Sequence, residues 1–132
     1  MKNFDQGIDI TDIRRIEIIY NKYKNKFLSK ILSKTEIKYF KSLESNHSFF
    51  LKKLAGRFAA KEAASKALGV GFRDGVSFRD FEISNDDLNK PVIKVTGCAL
   101  DIIKKQSRSF ISKVTISNEK HYAIALVTFI FF

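Results

Sequence analysis

Apolar residues recur at spacings of three and four through the first half of the chain and closer to alternate positions through the second. Ile13, Ile16, Tyr20, Tyr23 and Phe27 form the first helical series. It predicts an amphipathic helix that begins at Thr11 or Asp12, either of which can cap it. Before it, Gly7-Ile8-Asp9-Ile10 reads as a short strand with Ile8 and Ile10 on one face and Asp9 on the other. Ser33-Lys34-Thr35-Glu36 fits a capping box and opens a second helix through Ile37 and Phe40. A polar break follows at residues 44–47. A long helix is expected from about residue 48 to Leu68, with Gly69 placed to end it.

The second half has a different period. Residues 70–75 form a glycine loop around Arg73, able in principle to cradle phosphate but without Walker spacing. Residues 76–83 read as a strand whose alternation slips at Arg79-Asp80, and 84–91 are a dense turn cluster. A strand over 92–96, a short helix over 97–107 and strands over 110–117 and 121–132 complete the reading. The last two strands are joined as a hairpin at Asn118-Glu119-Lys120. Helices first and strands second argue an α+β fold on a mostly antiparallel sheet.

Length and composition narrow this picture. A chain of 132 residues with 45% hydrophobic content suits one domain, 1–132. The start Met1-Lys2-Asn3-Phe4-Asp5 lacks the apolar core of a signal peptide, and no apolar run approaches a membrane span. Cys98 is the single cysteine and is expected to be a small buried residue, so a disulfide framework is excluded. A cytoplasmic protein is the resulting expectation. His47 reads as an exposed residue and His121 as part of the last hairpin. The net charge of +10 calls for an acidic partner of some kind. A basic nucleic-acid-binding module would explain that charge, but the basic residues are scattered and no RNA- or zinc-binding pattern is present.

Candidate chemistry sits on the long helix. Phe58, Glu62 and Lys66 share one face at i, i+4 spacing, and Leu51, Leu54 and Ala55 extend that face upstream. A carboxylate in an apolar stripe needs a cation. Either Lys66 supplies it as an ordinary helical pair, or a metal does. Arg14 and Arg15 stand in the first turn of their helix, where the helix dipole disfavours positive charge. Solvation or an external partner would each account for them.

Three segments together resemble the holo-acyl-carrier-protein synthase family of small 4′-phosphopantetheinyl transferases. They are Gly7-Ile8-Asp9-Ile10 with Arg15-Ile16, the run from Arg57-Phe58-Ala59-Ala60-Lys61-Glu62-Ala63 through Lys66-Ala67 to Gly69, and Val114-Thr115-Ile116-Ser117 with His121-Tyr122-Ala123 behind it. Their order and the Asn89-Lys90-Pro91 turn match as well. The resemblance implies transfer of 4′-phosphopantetheine from coenzyme A to a serine of apo-acyl carrier protein, with release of 3′,5′-ADP. It implies Mg²⁺ between Asp9 and Glu62, both of them catalytic. Lys66, Lys61, Arg57 and Asn118 are implied as coenzyme A contacts, with Lys61 touching phosphate or helping to deprotonate the serine. Asn118 stands where many members carry a histidine. Arg15, with Arg14 beside it, is implied to dock the carrier protein. A homotrimer with active sites between subunits is implied too, and neither a nucleic-acid nor a membrane partner is expected.

Overall fold

The computed structural model describes residues 3–132; the charged start at Met1 and Lys2 lies outside them. Strand β1, Asn3–Asp12, is longer than the four residues its sequence advertises and runs directly into helix α1, Ile13–Tyr23. Asp12 is the cap, its side chain accepting from the Arg14 amide. The apolar series continues to Phe27, but the helix does not. Lys24 adopts φ 47°, closes α1 by donating to Tyr20 O, and lets α2, Asn25–Ile31, start in a new direction. That turn buries Phe27, Leu28 and Ile31 and leaves Tyr23 exposed.

Ser33 and Glu36 form both bonds of the capping box at the start of α3, Lys34–Lys41. Asn46 caps α4, His47–Leu68, and Gly69 ends it at φ 91°, a conformation that favours glycine. The expected strand over 76–83 divides. Its first part is a turn of 3₁₀ helix, Phe78–Asp80, and only then does β2, Phe81–Asn85, begin. The slip at Arg79-Asp80 marks this turn. Asp80 uses its carboxylate to accept from Ala99 N and its carbonyl to accept from Thr96 N, docking the start of α5. Strand β3, Pro91–Val95, helix α5, Gly97–Gln106, and strands β4, Phe110–Asn118, and β5, Tyr122–Phe131, complete the chain. Cys98 is exposed rather than buried, because it lies on the outer side of the first turn of α5. Arg73 turns back on its own loop, Nε donating to Val70 O.

The described strands form two antiparallel sheets, β1-β5-β4 and β2-β3. Helix α4 lies across the inner face of the larger sheet. Its alanines (Ala59, Ala60, Ala63, Ala64 and Ala67 among them) are buried against Ala125, Val127 and Phe129 of β5. Small side chains on both sides let backbone approach backbone. Where α4 crosses β1 the contact is so close that a Cβ added to Gly7 would stand 1.9 Å from Ala63 O. At its other end α4 passes β4, and a Cβ on Gly56 would meet Ile116 Cγ2 at 3.1 Å. The outer sheet face is apolar and uncovered. Ile8 is 55% and Ile10 64% exposed, and across the register Ile10 faces Ile124 while Phe4 faces Ile130.

Candidate active site

Alternation on β1 turns Asp9 inward, opposite to Ile8 and Ile10, onto the edge of α4. Its Oδ2 accepts from Thr11 Oγ1 at 2.8 Å and its Oδ1 from Lys66 Nζ at 3.1 Å. Lys66 also donates to Ile8 O at 2.9 Å, so it reaches across to β1. The apolar stripe that starts at the buried Leu54 and Ala55 emerges along α4. Phe58 is still buried, Glu62 is half-buried, and the Lys66 side chain is 54% exposed.

The two acids feel each other. Burial raises the Glu62 carboxyl above its ordinary value, the Asp9 charge raises it further, and Lys66 and Arg15 oppose both. Two carboxylates from different elements, β1 and α4, are therefore close enough for the charge of one to act on the other. Among the described residues no third acid, histidine or cysteine joins them as a metal-binding group. An all-oxygen donor pair of this kind fits a divalent cation that takes its remaining ligands from water and from substrate phosphates.

Arg15 belongs to the same corner. Its guanidinium lies 5.8 Å from the Phe58 ring centroid, and its charge acts on Glu62. Arg14 is half-exposed beside it. It makes a two-pronged pair with Asp12, both contacts 2.9 Å, and its Nη2 also reaches Tyr122 OH. Beyond Arg15 a groove of about 430 Å³ runs between α1, α2 and α4, lined by Ile19, Tyr23, Lys26, Phe27, Phe58 and Phe78. Apolar rings form its floor and lysines its rim.

Arg57 and Asn118 come together, but elsewhere. With Lys52, Lys53, Asn85 and Asn89 they line a smaller cavity of about 120 Å³. Arg57 is buried; its Nη2 donates to Asn85 Oδ1 at 2.7 Å, its guanidinium stacks near Tyr39, and its Nε has no partner. Burial lowers the pKa of both Arg57 and Lys53, as expected for cations gathered without a matching anion. Arg57 lies five residues before Glu62, about 140° around the helix. The cavity is thus on the β4 side of α4 and the acid pair on the β1 side.

Lys61 departs from the role the resemblance implied. It is fully buried, and its Nζ donates to Glu36 Oε1 at 2.6 Å and Ile31 O at 2.7 Å. It lies about 100° from Glu62 around α4 and is directed into the core rather than toward Asp9. Glu36 is the residue that sequence reasoning missed. The capping box was a visible signal for it, but not for the Lys61 pair, which joins positions 25 residues apart.

The family model of the 4′-phosphopantetheinyl transferase superfamily matches residues 6–127. A holo-acyl-carrier-protein synthase of Aliivibrio salmonicida is 46% identical over 123 residues, covering 93% of this chain and 94% of its own length. The crystal structure of a holo-(acyl-carrier-protein) synthase from Bacillus anthracis in complex with CoA (3′,5′-ADP) is 36% identical. It superposes with a TM-score of 0.80 over 97% of this chain and 96% of that one. The Helicobacter pylori synthase in complex with coenzyme A is also 36% identical, with a TM-score of 0.75 over 92% of this chain and 96% of that one.

Proposed function

Because this chain belongs to the 4′-phosphopantetheinyl transferase superfamily, we propose that it acts as a holo-acyl-carrier-protein synthase, moving 4′-phosphopantetheine from coenzyme A to a serine of an apo-acyl carrier protein. The serine oxygen forms a new bond to the phosphorus that carries pantetheine. The bond from that phosphorus to the bridging oxygen breaks, 3′,5′-ADP leaves with that oxygen, and the serine proton passes to solvent water. The observation that carries this reading is the Asp9–Glu62 pair, with Lys66 bonded to Asp9 and the Lys66 and Arg15 charges acting on Glu62.

Asp9 and Glu62 would hold Mg²⁺, which would bind pyrophosphate oxygens and offset charge on the leaving group. Thr11 keeps the Asp9 carboxylate oriented toward α4. Lys66, half-exposed at its side chain, can transfer its ammonium from Asp9 to a phosphate oxygen when substrate enters. Arg15 faces the client. An acidic carrier protein would meet Arg15 and the lysine-rimmed apolar groove beside it, while Arg14, already paired with Asp12, stiffens the start of α1. The cavity of Lys52, Lys53, Arg57 and Asn118 would take the phosphorylated nucleotide end of coenzyme A, the unpartnered Arg57 Nε supplying a free donor.

The two half-sites lie about 140° apart around α4, an arrangement that suits a site shared between copies of the chain. The uncovered apolar face of β1-β5-β4 supports a homotrimer in which one chain's acid pair meets its neighbour's nucleotide cavity. Among the described residues no helix is long and apolar enough to cross a membrane; a cytoplasmic, single-domain protein is part of the same proposal. The test is intact mass spectrometry of a purified apo-carrier protein incubated with coenzyme A and Mg²⁺. A phosphopantetheine mass gain that disappears with EDTA is expected. No gain with any carrier protein would overturn the reading.

A further inference from the structure

The most deeply buried ion pair among the described residues joins Lys61, next to Glu62 in sequence, to Glu36. Glu36 and Lys61 are 2% and 0% exposed at their side chains. Four elements meet at this pair. Glu36 Oε1 accepts from Lys61 Nζ and from Ser33 N, and Glu36 Oε2 accepts from Ile83 N at 3.3 Å. Lys61 also donates to Ile31 O, the last residue of α2. The start of α3, the end of α2, the middle of α4 and the middle of β2 are thereby tied at one point.

Stability alone gives a weak reason for such a pair. Desolvating two charges offsets most of their attraction, and apolar residues of the same volume often serve as well or better. A buried ion pair does contribute direction. Helix α4 needs direction, because the face it lays on the sheet is nearly all alanine and glycine and offers few knobs to stop it turning or sliding. A rotation of about 20° would carry a group at the helix rim roughly 2 Å. Misplacement by 1 Å can slow a positioned reaction about a hundredfold.

We propose that Glu36 is a positioning residue for the transfer reaction, gripping Lys61 to set the rotation of α4 and hence the approach of Glu62 to Asp9. This inference rests on the function proposed above. It assigns Lys61 no contact with substrate.

The test replaces the pair with an apolar one, Glu36→Met with Lys61→Met, in the full chain. The double variant should still melt cooperatively, at a lower temperature than the wild type, because Ser33 N, Ile83 N and Ile31 O each lose a partner. Its kcat should fall about tenfold or more, while KM for coenzyme A changes less than about threefold, since the nucleotide cavity is untouched. Mn²⁺ affinity, read by electron paramagnetic resonance with coenzyme A present, should weaken severalfold, and the shape of the kcat–pH profile should stay. Wild-type kcat together with wild-type Mn²⁺ affinity would overturn the proposal. Loss of one limb of the pH profile would also overturn it, because Lys61 would then be carrying a proton. If the double variant does not fold, Glu36→Asp decides. It keeps the charge but retracts the carboxylate, and unchanged kcat there would overturn the proposal. A wild-type protein without transfer activity would instead remove the functional reading, and the Mn²⁺ comparison would still judge the positioning role.

Discussion

At the residue scale the account turns on Glu62. Its carboxyl keeps its proton to higher pH than a free glutamic acid because it is partly buried and faces Asp9. The folded value lies above the unfolded one, so ionisation costs the folded state stability as pH rises from the ordinary 4.5 through the raised value. A divalent cation needs the ionised form and reverses that loss. Mn²⁺ affinity, measured by calorimetric titration, should therefore weaken as pH falls toward a window that begins above 4.5. Glu62→Gln should flatten the dependence and weaken binding at every pH. An affinity independent of pH down to the ordinary glutamate range would mean that Glu62 does not ligate the ion.

The element scale concerns how β1 and α4 meet. Gly7 is the point of closest approach, and any side chain there collides with the Ala63 carbonyl. Gly7→Ala should destabilise the fold by about 1–3 kcal/mol in urea melts, the usual cost of overpacking. Because Asp9 is two residues along the strand, transfer activity should fall further than stability alone explains. Local signals made much of this scaffold legible in the sequence. The Asp12 and Ser33 caps, the Gly69 stop and the turn before Pro91 each act within a few residues, and each is where the pattern puts it. The break at Lys24 was hidden, since the apolar series runs straight through it and a lysine at positive φ leaves no mark. The antiparallel pairing of β1 with β5 joins opposite ends of the chain, and periodicity carries no information on it. At the site, Asp9, Glu62 and Lys66 were legible as chemistry and do converge. Glu36 looked like a cap alone, because its second partner lies across the fold.

At the scale of the whole molecule, charge and the bare sheet face decide what the protein meets. Its 24 basic against 14 acidic residues leave a strongly positive surface. The proposed docking role of Arg15 predicts a charge-dependent encounter with the client. Arg15→Glu should raise KM for the carrier protein severalfold and change KM for coenzyme A much less. Added salt should produce the same effect in the wild type, because exposed charges are screened beyond about 8 Å at physiological ionic strength. Unchanged carrier-protein kinetics at low salt would move the docking face elsewhere. The sheet face makes a separate prediction. Ile10→Asp puts a charge at a 64% exposed position on the edge strand of the uncovered apolar surface, opposite Ile124. Light scattering should show monomers with native circular dichroism and little transfer activity. An active monomer would place the complete site within one chain.

The central claim is that Asp9 and Glu62 together support cation-dependent transfer of phosphopantetheine. Its most direct test is the intact mass of an apo-carrier protein after incubation with coenzyme A, Mg²⁺ and either the wild-type chain, Asp9→Asn or Glu62→Gln. The account predicts full conversion by the wild type, abolished by EDTA, and a rate at least about a hundredfold lower for each variant with its melting temperature preserved. Wild-type rates from both variants, or conversion that persists in EDTA, would contradict it.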